Sequence, residues 1–530
     1  MATYAKPHIG VAPILARPAR RSWPWPIVLV LALQALTSLV ALHNTAFQDE
    51  GLYLYAGRQI IHHWAGGPAP PENYAFYFSG YPYFYPVIGG FLDMIGGLQL
   101  ARSFSLMCML GVTTIAYYIT GKLFHRRAAI FAAAVYASTG VVMFVGRLAT
   151  FDSLCLLLIA TSTAFSVCAG MSKRLWWALM PGPVIVLAIL AKYAALLFVP
   201  SVFGLLACLS ISFLPWRAAL LRLFLAGTSF ALSLGIADKT IDKAAFHAIS
   251  GSTTSRAVSL KGSHIALLIH VLHMGGVVYV TALAGLVLTF RLPWRFRTLA
   301  VLLFGSSWLV PAYHIYKLEP TSLDKHIAYA MFFIVPLAGY ALAWLSGYER
   351  QPFFSPHRGY WVAGVAVVLA MFTLGLGQSR HLYAEWADTS GLSTALHTQI
   401  RDGSGRILAE DVEVSRYDAM DITEPWQWYN FYYPYYVDPK GHFVFGNDAL
   451  IQGVKNRYYS WVELSFTYLP QPAYFAAGQM AATRNYDLVA VVLFSNSYGK
   501  GHFYLFRSAI APGQGNFTSL AQLKTNDWGS

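Results

Sequence analysis

Apolar runs of membrane-spanning length recur along this chain and limit what it can fold into. The 530 residues are 56% hydrophobic and 12% charged, about half the charged fraction that is usual in soluble domains. A hydrocarbon layer needs about 20 apolar residues in a helix, so we predict a polytopic α-helical membrane protein with about eleven transmembrane helices. The predicted spans are 27–42, 101–123, 127–145, 151–171, 175–191, 194–213, 218–236, 264–289, 298–316, 327–346 and 359–378.

Charge is distributed unevenly between two parts of the chain. Residues 1–379 contain 26 basic and 10 acidic residues, whereas residues 380–530 contain 11 basic and 14 acidic residues. We therefore predict a transmembrane domain over 1–379, with a first outer loop at 44–83, and a separate domain over 380–530. The basic excess suits anionic lipid headgroups. Its spread over short loops argues against a nucleic-acid partner.

The predicted connections also differ in charge between the two sides of the membrane. Alternate connections hold most of the basic residues, which places them in the cytoplasm by the positive-inside rule. Only one of the ten acids before residue 380, Glu349, falls on that side. The other nine lie on or near the outer face: Asp49, Glu50, Glu72, Asp93, Asp152, Asp238, Asp242, Glu319 and Asp324. We predict a multi-pass protein of the cytoplasmic membrane that works at its outer face, where the C-terminal domain also lies.

The C-terminal region has the mixed pattern of an extracytoplasmic α/β domain. Segments 405–411, 486–494 and 501–507 have the composition of strands, and 447–456 that of a short helix. All four cysteines lie in apolar segments before this region, which indicates packing rather than disulfides or a metal site. The sequence contains no motif for a cofactor or a divalent cation. His270 and His273 have metal spacing but no nearby acid or third ligand, and we interpret them as packed histidines.

Ionisable residues gather at the predicted outer ends of the spans. They are Asp49 and Glu50 after the first span, Arg102 at the start of the second, Arg147 and Asp152 around the turn from the third to the fourth, and Lys317, Lys325 and His326 between the ninth and tenth. Charges at span ends are often anchors that snorkel to the headgroups. A carboxylate gains nothing from anionic lipid, however, and ionisable groups at membrane depth are functional candidates.

Acids and bases at one membrane face suit the transfer of a sugar from a lipid-linked phosphate. Arginine and lysine bind phosphate by charge-assisted hydrogen bonds. The phosphate is a good leaving group that needs positive charge where negative charge gathers, and the attacking hydroxyl needs a carboxylate base. One or two acids with several cations meet both requirements.

Several sequence features follow one another between residues 25 and 350. They are Asp49-Glu50 with Tyr53, an aromatic and proline-rich loop, Ala101-Arg102-Ser103, Arg147 with Asp152, and the segment DKHIAYAMFFIVP at 324–336. Their order and placement resemble the protein O-mannosyltransferase and aminoarabinose-transferase-like branch of the C-type glycosyltransferases. The resemblance implies a polyprenyl- or dolichyl-phosphate sugar donor and transfer with inversion.

The resemblance also implies roles for the site residues. Asp49 is expected to be the catalytic base, with Glu50 supporting acceptor or loop positioning. The set of predicted catalytic residues is Asp49, Glu50 and Asp152. The predicted substrate-binding residues are Arg102 and Arg147, which would organise the site, Lys325 and His326, which would hold the donor phosphate, and Lys317 and Tyr53. The expected partners are a polyprenyl-phosphate-linked sugar, membrane lipids, and a lipid, glycan or protein acceptor.

One departure from the family leaves the donor sugar open. Many aminoarabinose-transferase-like relatives have Glu-Lys before a Pro-Pro pair late in the first loop, where this chain has Ser79-Gly80-Tyr81-Pro82. A metal site inferred from those relatives is equally open.

Two other functions are consistent with a charged outer face. A transporter or flippase of a lipid-linked saccharide is the main alternative, although it should place ionisable groups near the membrane midplane. A non-catalytic assembly or sensor protein is the other. Three further features are ambiguous: Lys192 is interpreted as an anchor rather than a phosphate ligand, 238–263 as a flap or an ordinary connection, and Trp426–Tyr436 as packed aromatics or a sugar-stacking surface.

Overall fold

The computed structural model describes residues 25–42, 44–76, 78–241, 243, 247, 263–347, 358–400, 405–524 and 526–528. The basic N-terminal segment with Arg17, Arg20 and Arg21, the inner-loop residue Glu349, and most of the flap predicted at 238–263 lie outside these residues.

The first part of the chain is helical. Its helices are α1 (Trp25–Ala41), α2 (Gln48–Trp64), α3 (Tyr85–Leu123), α4 (Arg126–Ala137), α5 (Gly140–Val145), α6 (Phe151–Met171), α7 (Pro181–Ala191), α8 (Val199–Phe213), α9 (Trp216–Thr240), α10 (His264–Thr289), α11 (Trp294–Lys317), α12 (Leu323–Leu345) and α13 (Arg358–Tyr383). Within the described residues, eight helices are long and apolar enough to cross a membrane, and two shorter apolar helices occur at Trp25–Val40 and Leu175–Ala191. A polytopic helical membrane protein is therefore confirmed, whereas the count of eleven spans stays a prediction.

Two helical segments are interrupted in the structure. The span predicted at 127–145 divides into α4 and α5 at Ser138 and Thr139, where Gly375 of α13 approaches so closely that a Cβ would lie 2.0 Å from the Ser138 carbonyl oxygen. Helix α3 is interrupted at Gly96 and Gly97, and Gly97 has a φ of 65°, which favours glycine. This interruption separates 85–95 from the predicted span at 101–123.

Helix α12 is the centre of the helical part. In its apolar window 94% of the residues are buried, which fits a helix that is hydrophobic all round and surrounded by others. Its N-terminal turn carries Lys325 and His326, so the packing of this helix holds both side chains at one end of the bundle.

The C-terminal region is built around a mixed sheet. Its elements are α14 (Ser390–Gln399), β1 (Ile407–Ala409), α15 (Val412–Asp418), β2 (Trp428–Asn430), β3 (Tyr435–Val437), β4 (Phe443–Phe445), α16 (Gly446–Lys455), β5 (Trp461–Leu464), α17 (Pro470–Thr483), β6 (Tyr486–Asn496), β7 (Gly499–Ser508) and β8 (Asp527–Trp528). The sheet order is β2-β1-β5-β7-β6, with β8 beside β7, and β1 runs parallel to both of its neighbours. The predicted strands and the helix near 447–456 are confirmed, while the domain boundary at 380 stays a prediction.

Helix α2 is held between α3 and the C-terminal region. Gly57 lies against α3, where its missing side chain lets the backbones meet, and Gly51 lies against the backbone of Glu413. Arg58 binds Asp93 of α3 with an Nε–Oδ2 distance of 2.5 Å, and the Tyr417 hydroxyl of α15 donates to the same carboxylate at 2.8 Å. Both neighbours therefore determine the position of α2.

Substituting Gly57 with alanine should destabilise the protein. A Cβ at this position would lie 1.8 Å from the Pro86 carbonyl oxygen, and overpacking of this kind costs about 1–3 kcal/mol. Thermal unfolding of the purified protein in detergent would show a lower midpoint for Gly57→Ala. The matched control is Gly227→Ala in α9, where a Cβ would meet no atom within 4 Å. Equal midpoints for the two variants would contradict the close approach.

Candidate active site

Both carboxylate oxygens of Glu50 accept hydrogen bonds inside the protein. Its carboxylate accepts from Arg102 at 2.9 and 2.6 Å, from the Ala149 backbone N–H at 2.6 Å, and from the Phe47 backbone N–H at 2.8 Å. The side chains of Glu50 and Arg102 are both fully buried. Because its oxygens already have four donors, Glu50 is placed to hold the start of α2, which agrees with the supporting role that the family resemblance implies.

Asp49 occupies the first turn of α2 and forms a salt bridge with Lys325 of α12. The Asp49 side chain is 28% exposed and that of Lys325 is 5% exposed. The Lys325 ammonium also lies over the Phe47 ring, 4.7 Å from its centroid. Two residues that are 276 positions apart in the chain thus meet, and the carboxylate keeps an accessible edge.

Asp152 forms a second, more deeply buried ion pair beside the first. Its Oδ1 lies 2.5 Å from the Lys192 ammonium, and the Tyr329 hydroxyl donates to the same oxygen at 3.2 Å. Lys325 also interacts electrostatically with Asp152, so the two ion pairs belong to one cluster. The interpretation of Lys192 as a snorkelling anchor is therefore wrong: the residue is 3% exposed and faces a carboxylate.

Tyr53 lies beside this cluster, whereas the charged neighbours of Arg147 are Arg102 and Glu50. Tyr53 packs against the rings of Phe78 and Phe151 and interacts electrostatically with both Asp49 and Asp152. Arg147 is 4% exposed, and its Nη2 donates to the Gln99 side chain at 2.8 Å. Its Nε and Nη1 have no hydrogen-bond partner among the described residues. A buried guanidinium with two such N–H groups has capacity to bind an anion.

A cavity of about 420 Å³ opens beside the Lys192 end of the cluster. Cationic and imidazole side chains line one part of it, namely Lys192, Lys317, His314 and His326. Apolar side chains line another part, among them Leu196, Leu197 and Val310. The cavity therefore offers positive charge next to an apolar wall, which suits an anionic headgroup with a hydrocarbon chain.

The structure brings most of the predicted residues together and adds three others. Asp49, Lys325, Asp152 and Tyr53 form the centre, the pair Glu50–Arg102 supports it, and Lys317 and His326 line the cavity. Their catalytic and binding roles stay predictions. Sequence reasoning gave Lys192 the wrong role and did not single out His314 or Tyr329. A span-end lysine, and a histidine or tyrosine inside an apolar helix, have no distinguishing local pattern.

The interpretation of both α10 histidines as packed is wrong for His273, which is exposed, and His270 is only partly buried. His270 lies 2.6 Å from the Asp324 carboxylate, so the statement that it has no nearby acid is wrong. Asp324 begins α12 and is distant in sequence, which is why spacing did not reveal the contact. No group of three or more histidine, cysteine or acidic residues arranged for a metal ion occurs in the described part of the chain.

The C-terminal region reaches the site through Tyr432. The Gln48 side chain, next to Asp49, donates to the Tyr432 hydroxyl at 3.3 Å. Tyr432 is 44% exposed and Tyr433 is 81% exposed, whereas Tyr429 of the same segment is buried. The segment Trp426–Tyr436 therefore contains both packed and exposed aromatics.

Buried acids of the C-terminal region lie close to this contact. Glu410 accepts five backbone N–H groups from residues 465–469, at 2.6–3.0 Å. Burial, together with the charge of Glu410, raises the pKa of the neighbouring Glu463 to about 8. Burial also raises the pKa of Asp411 well above its usual range. No sequence pattern signalled this cluster.

The stability of the protein should fall as pH rises from about 4.5 to about 8. Over this window the unfolded chain releases the Glu463 proton, whereas the folded protein, whose Glu463 pKa is about 8, retains it. Folding therefore becomes less favourable with rising pH. Glu463→Gln should remove this loss and be more stable than wild type at pH 8, by on the order of 4 kcal/mol. Thermal unfolding at pH 5 and pH 8 measures the difference, and equal pH dependence of the two proteins would contradict it.

Breaking the buried pair of Glu50 and Arg102 should be strongly destabilising. Glu50→Gln leaves a buried guanidinium uncompensated, which costs about 3–5 kcal/mol. A double variant, Glu50→Gln with Arg102→Met, should recover part of the loss relative to the single variant. Chemical or thermal unfolding measures both changes. The control is Asp421→Asn, which removes an exposed pair with His397 and should cost at most about 1 kcal/mol. Equal losses at the two pairs would argue against the structural role of Glu50.

Comparisons with known proteins agree with this architecture. Residues 82–234 match the family model described as dolichyl-phosphate-mannose-protein mannosyltransferase. A search of curated proteins finds no match. The solved structure of ArnT from Cupriavidus metallidurans bound to undecaprenyl phosphate is 15% identical, with a TM-score of 0.55 over 92% of this chain and 98% of that one.

Two further solved structures share the fold. The oligosaccharyltransferase AglB from Archaeoglobus fulgidus, in complex with an inhibitory peptide and a dolichol-phosphate, has a TM-score of 0.56 at 12% identity over 91% of this chain and 74% of that one. The arabinofuranosyltransferase AftD from mycobacteria has a TM-score of 0.54 at 13% identity over 92% of this chain and 40% of that one.

These findings define the protein as a polytopic membrane protein with the C-type glycosyltransferase fold. The resemblance to the protein O-mannosyltransferase and aminoarabinose-transferase-like branch is confirmed by the family model and by the fold shared with ArnT. This is a fold of glycosyltransferase enzymes, and nothing in the comparisons favours a transporter or flippase.

Proposed function

We propose that this protein transfers a monosaccharide, a hexose or a pentose, from a polyprenyl-phosphate carrier to an acceptor hydroxyl at the extracytoplasmic face of the cytoplasmic membrane. The observation that carries the proposal is the ion-pair cluster of Asp49, Lys325, Asp152 and Lys192 beside a cavity that is cationic on one side and apolar on another. The structure of ArnT with undecaprenyl phosphate and that of AglB with a dolichol-phosphate support a lipid-phosphate ligand.

Asp49 is the group best placed to act as the base. It is the more exposed of the two paired acids, since its side chain is 28% exposed and that of Asp152 is fully buried. In the proposed reaction the acceptor hydroxyl gives its proton to Asp49 as its oxygen attacks the anomeric carbon of the sugar. The bond from that carbon to the phosphate oxygen breaks from the opposite side, and the configuration inverts.

Cations meet the negative charge that develops on the departing phosphate. Lys325 lies between the two acids, and Lys192 and Lys317 face the cavity. Positive charge that is already in place when the phosphate leaves lowers the barrier. Asp152 holds Lys192 within 2.5 Å, so its proposed contribution is to orient that ammonium and balance the charge of the cluster.

The acceptor is proposed to approach between α2 and the C-terminal region. The exposed side chain of Tyr432 contacts Gln48 next to Asp49, and an aromatic ring at such a place can cover the face of a sugar. A glycan, lipid or protein hydroxyl could each reach Asp49 from this direction.

Replacing Asp49 should abolish most of the transfer activity. Asp49→Asn keeps the size of the side chain but removes the base, and general-base catalysis contributes about 10²–10⁴-fold. The measurement is transfer of radiolabelled sugar from a panel of polyprenyl-phosphate sugars by the purified protein in nanodiscs. The control is Asp448→Asn, an exposed acid in the first turn of α16.

Two results would contradict the proposal in different ways. Undiminished transfer by Asp49→Asn would remove Asp49 as the base. No transfer by wild type with any donor, together with measurable translocation of a lipid-linked saccharide, would favour a flippase.

A further inference from the structure

The small antiparallel sheet of β3 and β4 has one packed side and one exposed side. On the packed side it lies against α16, where Tyr436 is buried and its hydroxyl accepts from the Asn456 side chain at 2.8 Å. Side chains in a strand alternate between the two faces, so the residues before and after Tyr436 point the other way. With their partners in β4 they form what we call the hairpin face: Tyr435, Val437, Phe443 and Phe445.

The composition of the hairpin face is unusual for the exposed side of a sheet. A sheet with one packed side is usually polar on the other, yet all four positions here are apolar or aromatic. Phe443 is 61% exposed and Phe445 is 66% exposed. Single exposed apolar residues are common, but a contiguous exposed group of them marks a binding surface. The hairpin face is therefore a candidate surface for a ligand.

The rings of the hairpin face lie side by side. The centroids of Phe443 and Phe445 are 6.1 Å apart and their planes differ by 14°, while the Tyr435 ring is 6.0 Å from that of Phe443. The C–H face of a sugar packs against the face of an aromatic ring, and its hydroxyls need polar groups nearby. The exposed side chains of Tyr433 and Asn447 supply such groups beside the rings. Three rings offer more area than one sugar covers, which suits linked sugars.

The hairpin face continues towards the proposed active site. The exposed residues Tyr432 and Tyr433 come shortly before β3 in the chain. The Tyr432 hydroxyl accepts from Gln48, the neighbour of Asp49. A ligand that lies on the hairpin face and follows this segment would therefore bring its end to Asp49.

The turn of the hairpin argues against a lipid surface as the ligand. The turn contains Asp438, Lys440 and His442, and the Asp438 carboxylate accepts from the backbone N–H groups of the other two at 2.8 Å each. Insertion of Phe443 into a membrane would carry these charged neighbours towards hydrocarbon, where ionisable groups are costly. A saccharide is hydrated itself and leaves the turn in water.

We propose that the hairpin face binds the acceptor, and that this acceptor is a glycan of at least two linked sugars that lie on Phe443 and Phe445. The hydroxyl at the end of the glycan then reaches Asp49 past Tyr432. The inference rests on the proposed function and selects a glycan among the glycan, lipid and protein acceptors. Phe443 and Phe445 touch the acceptor away from the reacting atoms, so they are binding residues.

Saturation-transfer NMR on wild type in nanodiscs tests the binding directly. The probes are the methyl glycosides of four tetrasaccharides, built from mannose, galactose, glucose or arabinose. Irradiation of the aromatic protons of the protein should transfer saturation to the C–H protons of at least one probe. Transfer to none of the four would overturn the inference, whether another protein or lipid occupies the face.

Substitutions on the hairpin face should weaken the binding of that probe. Phe443→Ala and Phe445→Ala should each reduce the affinity by about 2–10-fold, as for loss of an aromatic contact, whereas Phe445→Trp should retain it. The matched control is Leu493→Ala in β6, because Leu493 is also 61% exposed but lies outside the hairpin. Affinities of both alanine variants equal to that of the control would overturn the inference.

A spin label at position 445 distinguishes a glycan surface from a lipid surface. Phe445→Cys is labelled with a nitroxide in nanodiscs, and wild type treated in the same way gives the background from the native cysteines. The label should be more accessible to a water-soluble nickel chelate than to oxygen. Greater accessibility to oxygen would place the hairpin face in lipid and overturn the inference.

The transfer assay separates this inference from the proposed function. With a bound tetrasaccharide as the acceptor, Phe445→Ala should raise KM for the acceptor and leave kcat near that of wild type, because Asp49 and the lysines are intact. Binding of a probe without transfer from any donor would remove the transferase and leave the glycan site. Transfer to a tetrasaccharide with an unchanged KM in Phe445→Ala would overturn the inference alone.

Discussion

The buried ion pair of Arg102 and Glu50 is the interaction on which the candidate-site end of the helical bundle depends. Two charges without solvent are costly unless their remaining hydrogen-bonding positions are satisfied, and here they are. Arg102 donates to the Asn44 and Thr45 carbonyl oxygens at 2.9 Å each, while Glu50 accepts from the backbone at Phe47 and Ala149. One pair therefore joins the start of the first loop, helices α2 and α3, and the turn before α6. The backbone that carries Asp49 is fixed as a result.

Alternating charge is the second constraint on the site. Asp49 and Asp152 come from the starts of α2 and α6, and their partners Lys325 and Lys192 come from α12 and the end of α7. Four charges this close together in a low-dielectric interior are stable only if opposite signs are neighbours. The arrangement places Lys192 on the wall of the cavity, with Lys325 in the same cluster of charges.

Much of this organisation could be predicted from the sequence, because strong patterns encode it. The length of an apolar run predicted the helix at 264–289, and strand-like composition predicted the strands at 486–494 and 501–507. The charge imbalance between the two faces indicated that Asp49 and Lys325 lie on one side, although only the three-dimensional structure shows that they touch.

Other contacts had no local signal. The pairing of Lys192 with Asp152 and of His270 with Asp324 depends on how helices pack, and each of these residues alone resembles an ordinary helix-end polar group. The break at Ser138 lies where Gly375 of α13 meets that backbone, a contact with a residue that is distant in sequence. The five N–H groups around Glu410 belong to a turn whose residues resemble any other loop.

The interruption of α3 at Gly96 and Gly97 has a geometric consequence. An unbroken α-helix rotates by about 100° per residue, so side chains nine positions apart point to opposite sides. Asp93 and Arg102 are nine apart, yet both contact α2, the first through Arg58 and the second through Glu50. The two glycines thus determine the rotation about the helix axis between Asp93 and Arg102. One residue inserted between them would turn Arg102 away from the Glu50 carboxylate while leaving Asp93 in place.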